Sequence, residues 1–372
     1  MSKQKKEGNM KITESFVRDI LREEFPQNYQ YIYDNSLLLQ YLDKKMKAVH
    51  NDSKTRRSLA NIYAIYSLLF FYQKDFYNQP DIYRKFHGYD YMRLFNHYRS
   101  LYGGSKLQNH ALNSRINGEF KNRFPSAVND LVIIYNGKYL LHIDYLYVGQ
   151  VDISKSCCHI IEKYIDLLKE KDHSLLHILQ EMQSSNDYFS KKTQIRTLLA
   201  ENSEARIFEI ISFAILKNHY KNQKVYFGYS PDAIQEEELH LYKTGRTNAN
   251  DGGIDFVMRP IGRFFQVTEV NNYDKYLLDM DKVMHFPITF VIKTTSSRDT
   301  IWKNLETYIR ERANGMVIIE ERYHNAIEEI ITINELHLWI NELNNSDIDN
   351  IVQDIDIYYR LEMNLDNPDD NE

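Results

Sequence analysis

Apolar positions recur at three- and four-residue spacing through most of the first 190 residues, and in short strand-length runs after residue 220. A short helix capped at Thr13 carries Phe16, Ile20 and Leu21 and stops before Pro26. Helical stretches follow at 35–49 and 53–76, the second with a dense face of Leu59, Ile62, Tyr63, Tyr66, Leu69 and Phe70. Two apolar runs around Asn136-Gly137 predict a β-hairpin near 131–143, because that dipeptide suits a tight primed turn. Helical spacing resumes over 154–182, and the polar, serine-bearing 188–202 reads as a junction.

From Ser203, a candidate cap, the pattern changes. Residues 205–216 are apolar on nearly all sides of Glu209, which predicts a largely buried helix. Then come a strand at 224–229, an acidic loop at 235–238, and two apolar runs, 254–258 and 264–270. Arg259-Pro260-Ile261-Gly262-Arg263 separates those runs and suits a reversal. A helix is expected over 273–284, a strand over 287–293, a helix over 300–312 and a strand over 316–320. The implied fold is α/β: a mixed sheet flanked by helices, preceded by a large, mostly helical region. The expected division is 1–190, 191–340 and an acidic C-terminal tail, 341–372, which is helical in part.

Composition narrows the classes. With 372 residues, 43% hydrophobic and 26% charged, the chain can bury a substantial core. It has no run of about 18 apolar residues, and its first ten residues are polar, so neither a membrane span nor a signal peptide is expected. Its two cysteines are neighbours, Cys157 and Cys158, which fits a reducing, cytoplasmic setting and offers no zinc-ligand spacing. The net charge of −6 divides into +9 over residues 1–125 and −15 over the rest. The front half is therefore a candidate footprint for a polyanion.

Two basic stretches stand out there. Residues 44–57 hold six lysines and arginines at a helix junction, where a solvated corner is the ordinary reading. Gly103-Gly104 then opens a helix bearing Lys106, Gln108, Asn109, Asn113 and Arg115. Helix N-termini bind phosphate, and Asn, Gln and Arg read adenine and guanine edges, so these five are candidate DNA-binding residues. An N-capped surface helix is the plain alternative.

The chemistry concentrates in Asn250-Asp251-Gly252-Gly253-Ile254-Asp255 and Phe265-Gln266-Val267-Thr268-Glu269-Val270-Asn271. Polar groups in both runs of an antiparallel pair converge on one point, and acids beside other oxygen donors suit a hard divalent cation. A hairpin centred near Ile261 sets Gln266 opposite Asp255. Alternation puts Gln266 and Thr268 on one face and Glu269 and Asn271 on the other, and a bulge would bring Gln266 and Glu269 together.

In element order, and in the Gly253-Ile254-Asp255 strand, about 100 residues from Ser203 to Ser296 resemble the PD-(D/E)XK nuclease superfamily, which includes most type II restriction endonucleases. The resemblance implies an acid on the helix, matched by Glu209, and an Asp on one strand, matched by Asp255. It also implies an acid-x-Lys on the next strand, with the acids holding Mg2+. Two alignments stay open there, Gln266-x-Thr268 and Glu269-x-Asn271. Neither contains the lysine, for which Lys275 and Lys293 are the nearest substitutes. The implied catalytic set is Asp255, Glu269 and Gln266, and the implied metal set Asp255, Glu269 and Glu209. The implied activity is Mg2+-dependent, sequence-specific cleavage of double-stranded DNA leaving 5′-phosphates. A homodimer and a cognate DNA methyltransferase in the same system are expected with it. The alternatives are a non-catalytic DNA-binding protein on a degenerate nuclease scaffold and a structure-specific nuclease of repair or defence.

Overall fold

The computed structural model describes residues 16–47, 55–105, 107, 112, 114–244, 254–269, 272–363 and 365. The chain forms two compact units, one built mainly from residues up to Leu176 and one from His177 to Tyr359. The division falls inside a continuous helix, Ser154–Ser184, where the sequence suggests a boundary near residue 190. The polar stretch expected to be a junction is itself a helix, Tyr188–Leu198, capped by the Asp187 side chain on the Ser190 N–H. Its Lys191 is buried against Asp349, at 2.5 Å. The stretch is polar because it partners charges, not because it is a linker.

In the first unit the helix Thr55–Phe76 is buried along most of its length, and Leu37–Lys47 and Tyr91–Ser100 pack against it. Tyrosines fill much of this core: Tyr41, Tyr63, Tyr72, Tyr83 and Tyr98 are fully buried. Several phenols are satisfied by acids, Tyr33 on Asp43 (2.6 Å), Tyr72 on Asp152 (2.8 Å) and Tyr66 on Glu162 (2.7 Å). A buried hydroxyl is costly unless hydrogen-bonded, so each pair lets a large ring stay in the core. The expected hairpin forms, Val132–Tyr135 against Lys138–Leu141. Asn136 and Gly137 both take positive φ (48° and 73°), as a primed turn requires.

The second unit carries a five-stranded sheet. Its elements are α1 (Ala205–Tyr220), β1 (His240–Lys243), β2 (Phe256–Arg259), β3 (Arg263–Thr268), α2 (Tyr273–Lys282), β4 (Ile288–Ile292), α3 (Arg298–Ala313), α4 (Val317–Asn325), β5 (Ile327–Thr332), α5 (Ile333–Glu342) and α6 (Asn345–Met363). The strand order is β5-β4-β3-β2-β1. Strands β1, β2 and β3 run antiparallel in turn, and β3, β4 and β5 run parallel. All five residues of β4, Ile-Thr-Phe-Val-Ile, are buried, as a central parallel strand covered on both faces requires. One face packs Ile288, Phe290 and Ile292 under α2 and α3. The other sets Phe256 and Phe265 beneath α1, with Phe213–Phe256 rings 5.1 Å and Tyr220–Phe265 rings 6.3 Å apart.

Three expectations are corrected. The sheet's first antiparallel strand is β1, at 240–243, not the run at 224–229. Lys224–Phe227 instead pairs with Gln235–Glu238, the presumed acidic loop, in a separate two-stranded ribbon. One opposite-charge contact crosses that pair diagonally, Lys224–Glu236 at 2.6 Å. The run at 316–320 belongs to helix α4, and the strand lies later, in β5. Asn314 in the left-handed region and Gly315 (φ 80°) end α3, and Val317 and Ile318 stay 65% and 77% exposed with no strand beside them. Their β-branching misleads because no sheet edge is offered to them. Finally, Glu204 and not Ser203 holds the N-cap of α1. The Ser203 carbonyl instead accepts Lys293 Nζ at 2.9 Å.

Candidate active site

The site lies where β2 and β3 part. The register of β2 and β3 ends at the pair Phe265 and Phe256, just short of Gln266 and Asp255. There the ladder ends, and Asp255 takes over its last bond. Its N–H donates to the Phe265 carbonyl at 3.0 Å, and its Oδ2 accepts the Val267 N–H at 2.7 Å. The carboxylate is thus fixed at the strand end by backbone, with Thr244 closing the other side through its N–H on the Asp255 carbonyl (3.0 Å).

Glu209 comes to the same place from α1. It is bound by Arg206 one turn back (2.7 and 2.8 Å) and by Lys243 of β1 (3.1 Å). Lys243 and Glu209 are both largely buried, at 10% and 14% side-chain exposure. Burial and then the Glu209 charge push the Asp255 carboxyl up to about 7, against the opposing pull of the Val267 N–H, Arg206 and Lys275. A carboxyl buried beside a second acid resists ionisation. Perturbation of this kind concentrates at functional sites.

Gln266 is buried, at 6% exposure. Its Nε2 makes one long bond of 3.3 Å to the Val267 carbonyl, and its Oε1 has no partner among the described residues. A buried, unsatisfied amide oxygen costs about 1–3 kcal/mol, and a structural position would be expected to avoid it. Two residues on, buried Thr268 receives Lys275 Nζ on its Oγ1 at 3.3 Å. Lys275 stands on the first turn of α2, and its charge reaches Asp255.

Of the remaining candidates, Glu269, Lys293 and Arg115 are among the described residues. Glu269 follows the end of β3, is 58% exposed and pairs with Lys293 at 2.8 Å. Lys293 is drawn by that acid and by the Ser203 carbonyl. Asn271, Lys106, Gln108, Asn109 and Asn113 lie outside the described residues. Arg115 lies on the helix Ser114–Arg123 and bonds Glu119 at 3.1 Å, within a network that ties Glu119 to Asn61 (2.7 Å) and Lys45.

The Asp255 and Glu209 carboxylates brought together here are hard oxygen donors, whereas Gln266 pairs in register with Phe290, on the sheet face under α2 and α3. Carboxylates of this kind suit Mg2+ or another hard divalent cation. Among the described residues no cluster of three or more His, Cys, Asp and Glu side chains is placed to hold a metal ion. Reasoning from sequence overlooked Arg206 and Lys243. The signal for Arg206 was its position three residues before Glu209 on a helix. Lys243 had no local signal. Against known proteins, no family model, no curated protein and no solved structure matches the chain.

Proposed function

We propose that this protein is a Mg2+-dependent endonuclease of the type II restriction class, hydrolysing phosphodiester bonds of double-stranded DNA to leave 5′-phosphates. The observation that carries the reading is the meeting of Glu209 and Asp255, within reach of the Lys275 charge, at one end of the sheet. The order of elements supports it: a helix bearing an acid, three antiparallel strands, a helix and a parallel strand form the arrangement expected of a PD-(D/E)XK core.

Mg2+ bound at these oxygens would offset charge growing on the phosphate and sharpen a water as nucleophile. The chain's own groups have separable tasks. The Val267 N–H fixes Asp255 and selects the orientation of its carboxylate. Arg206 and Lys243 hold Glu209 in position and balance its charge. Lys275, anchored on Thr268, places an ammonium where the acid-x-Lys lysine would stand, and orients the attacking water. Glu269, engaged with Lys293, has no part in the reaction. Action on both strands of a palindromic site implies a homodimer. A cytoplasmic setting and a cognate DNA methyltransferase complete the reading.

A second reading keeps the DNA and drops the chemistry: a binding protein on a degenerate nuclease scaffold. Thr268 at the lysine position favours it. One experiment separates the two. Purified protein is incubated with phage and plasmid DNA in Mg2+ or EDTA, beside Asp255→Ala. Discrete, Mg2+-dependent fragments that vanish in the variant support the restriction enzyme. DNA retention without cleavage in any divalent metal supports the binding protein, and a Mg2+-dependent smear supports a structure-directed nuclease.

A further inference from the structure

Helix α1 carries more than Glu209. Arg206, Glu209, Phe213 and Lys217 recur at three- and four-residue steps, with Lys221 just past the helix end, so they share one stripe. Its C-terminal end, Lys217 and Lys221, faces a cleft of about 420 Å3 between α1, the edge strand β1 and α6. Lys217, Lys221, His240 and Lys243 line it, with the rings of Tyr242 and Tyr358, and no carboxylate lines it among the described residues.

The lysines have acidic partners, but those acids lie deeper. Lys217 bonds Asp354 at 2.7 Å, and the lysine is 41% exposed against 13% for the acid. Lys221 bonds Asp347, at 32% against 9%. The ammonium groups therefore face the cleft over carboxylates sunk in α6, whose Ile348, Ile351, Val352 and Ile355 are buried in the core. An ammonium has three donors, and one acid contact leaves the others for a second anion. At the inner end, Lys243 is the same residue that holds Glu209. Across β1 and β2, His240 stands opposite exposed Arg259, which extends the positive edge outward.

We infer that this cleft is a phosphate track, in which Lys243, Lys217 and Lys221 receive successive phosphates of the DNA strand leading to the candidate active site. From Glu209 to Lys221 is twelve residues of α1 and its end, about 18 Å at 1.5 Å per residue. At about 3.4 Å of axis per phosphate on one strand, that length spans roughly five phosphates. The inference rests on the nuclease reading and specifies how that site takes its substrate.

The test is duplex binding without cleavage. Full-length protein, with Ca2+ in place of Mg2+, is titrated with a mixed-sequence duplex of about 30 bp at several salt concentrations, beside Lys217→Gln/Lys221→Gln. Losing two phosphate contacts should flatten the slope of log K against log salt by about 1.8 and weaken binding at least tenfold near physiological salt. A second variant adds Asp354→Asn and Asp347→Asn, so that no buried acid is left unpaired, and it should bind as the first does. Asp347→Asn/Asp354→Asn alone should bind as tightly as wild type or more tightly. An unchanged slope in the folded quadruple variant would overturn the track and leave the nuclease reading standing. Absence of duplex binding by wild type would overturn both.

Discussion

Replacing Asp255 by Asn isolates the main electrostatic penalty in the candidate site. Asn keeps an oxygen for the Val267 N–H and nearly the same volume, but removes the charge that burial and Glu209 oppose. The folded carboxyl titrates near 7, above its ordinary value of 3.8. A raised folded value means that the folded chain holds the proton more tightly. This contribution to stability is therefore complete below about pH 4 and is lost as pH rises through about 7. At about 1.4 kcal/mol per tenfold, the rise from 3.8 to about 7 sets an upper figure of about 4 kcal/mol for the loss. Carboxyls held below their ordinary range, such as Glu201 by the Thr295 N–H, act in the opposite direction in both proteins and cancel in the difference. Urea unfolding in EDTA at several pH values is the assay. Asp255→Asn should match wild type near pH 4 and exceed it by several kcal/mol at pH 8, with cleavage abolished. Mg2+ should narrow the gap, since a site with a Kd of about 1 mM gains about 1.4 kcal/mol at 10 mM ligand. A difference flat with pH, or wild type the more stable at pH 8, would refute the crowding of the two acids.

Further outcomes follow from the same contacts. Glu209→Gln removes the like charge, so the pH midpoint of the Asp255-linked stability loss should move down, measured by the same unfolding series. Gln266→Leu removes an oxygen that has no partner; stability in urea unfolding should hold or rise by about 1 kcal/mol. Lys275→Ala should lower kcat at least a hundredfold and leave duplex affinity in Ca2+ within a few-fold, whereas Glu269→Ala should leave kcat within a few-fold. Lys243→Met strips one partner from a buried pair and should cost about 3 kcal/mol in urea unfolding, tempered by the Arg206 contact that remains.

Much of the secondary structure was legible because it is coded locally. The burial of α1 followed from apolar residues on nearly every side of Glu209, and β4 from an unbroken apolar run. The primed turn followed from Asn136-Gly137, and the antiparallel pairing of β2 with β3 from the turn around Gly262 (φ 69°). Errors arose where neighbours outvoted propensity. Val317-Ile318-Ile319 has strand composition but lies in a helix, and Gln235–Glu238 has loop composition but pairs with Lys224–Phe227.

The sequence by itself determined the alternation of helices and strands, the charge asymmetry between its halves, and a short roll of acids and amides around one hairpin. Period, turn chemistry and composition act over a few residues, so one strand of text suffices to read them. Only the tertiary structure decided which of those groups meet. Glu209 reaches Asp255 across more than forty residues, Lys243 arrives on an edge strand with no marking pattern, and Lys275 turns back from the next helix to Thr268. It also turned Glu269 outward to Lys293 and sank Asp347 and Asp354 beneath their lysines. Long-range side-chain encounters depend on how the sheet and its helices pack, and no spacing along the chain encodes that packing.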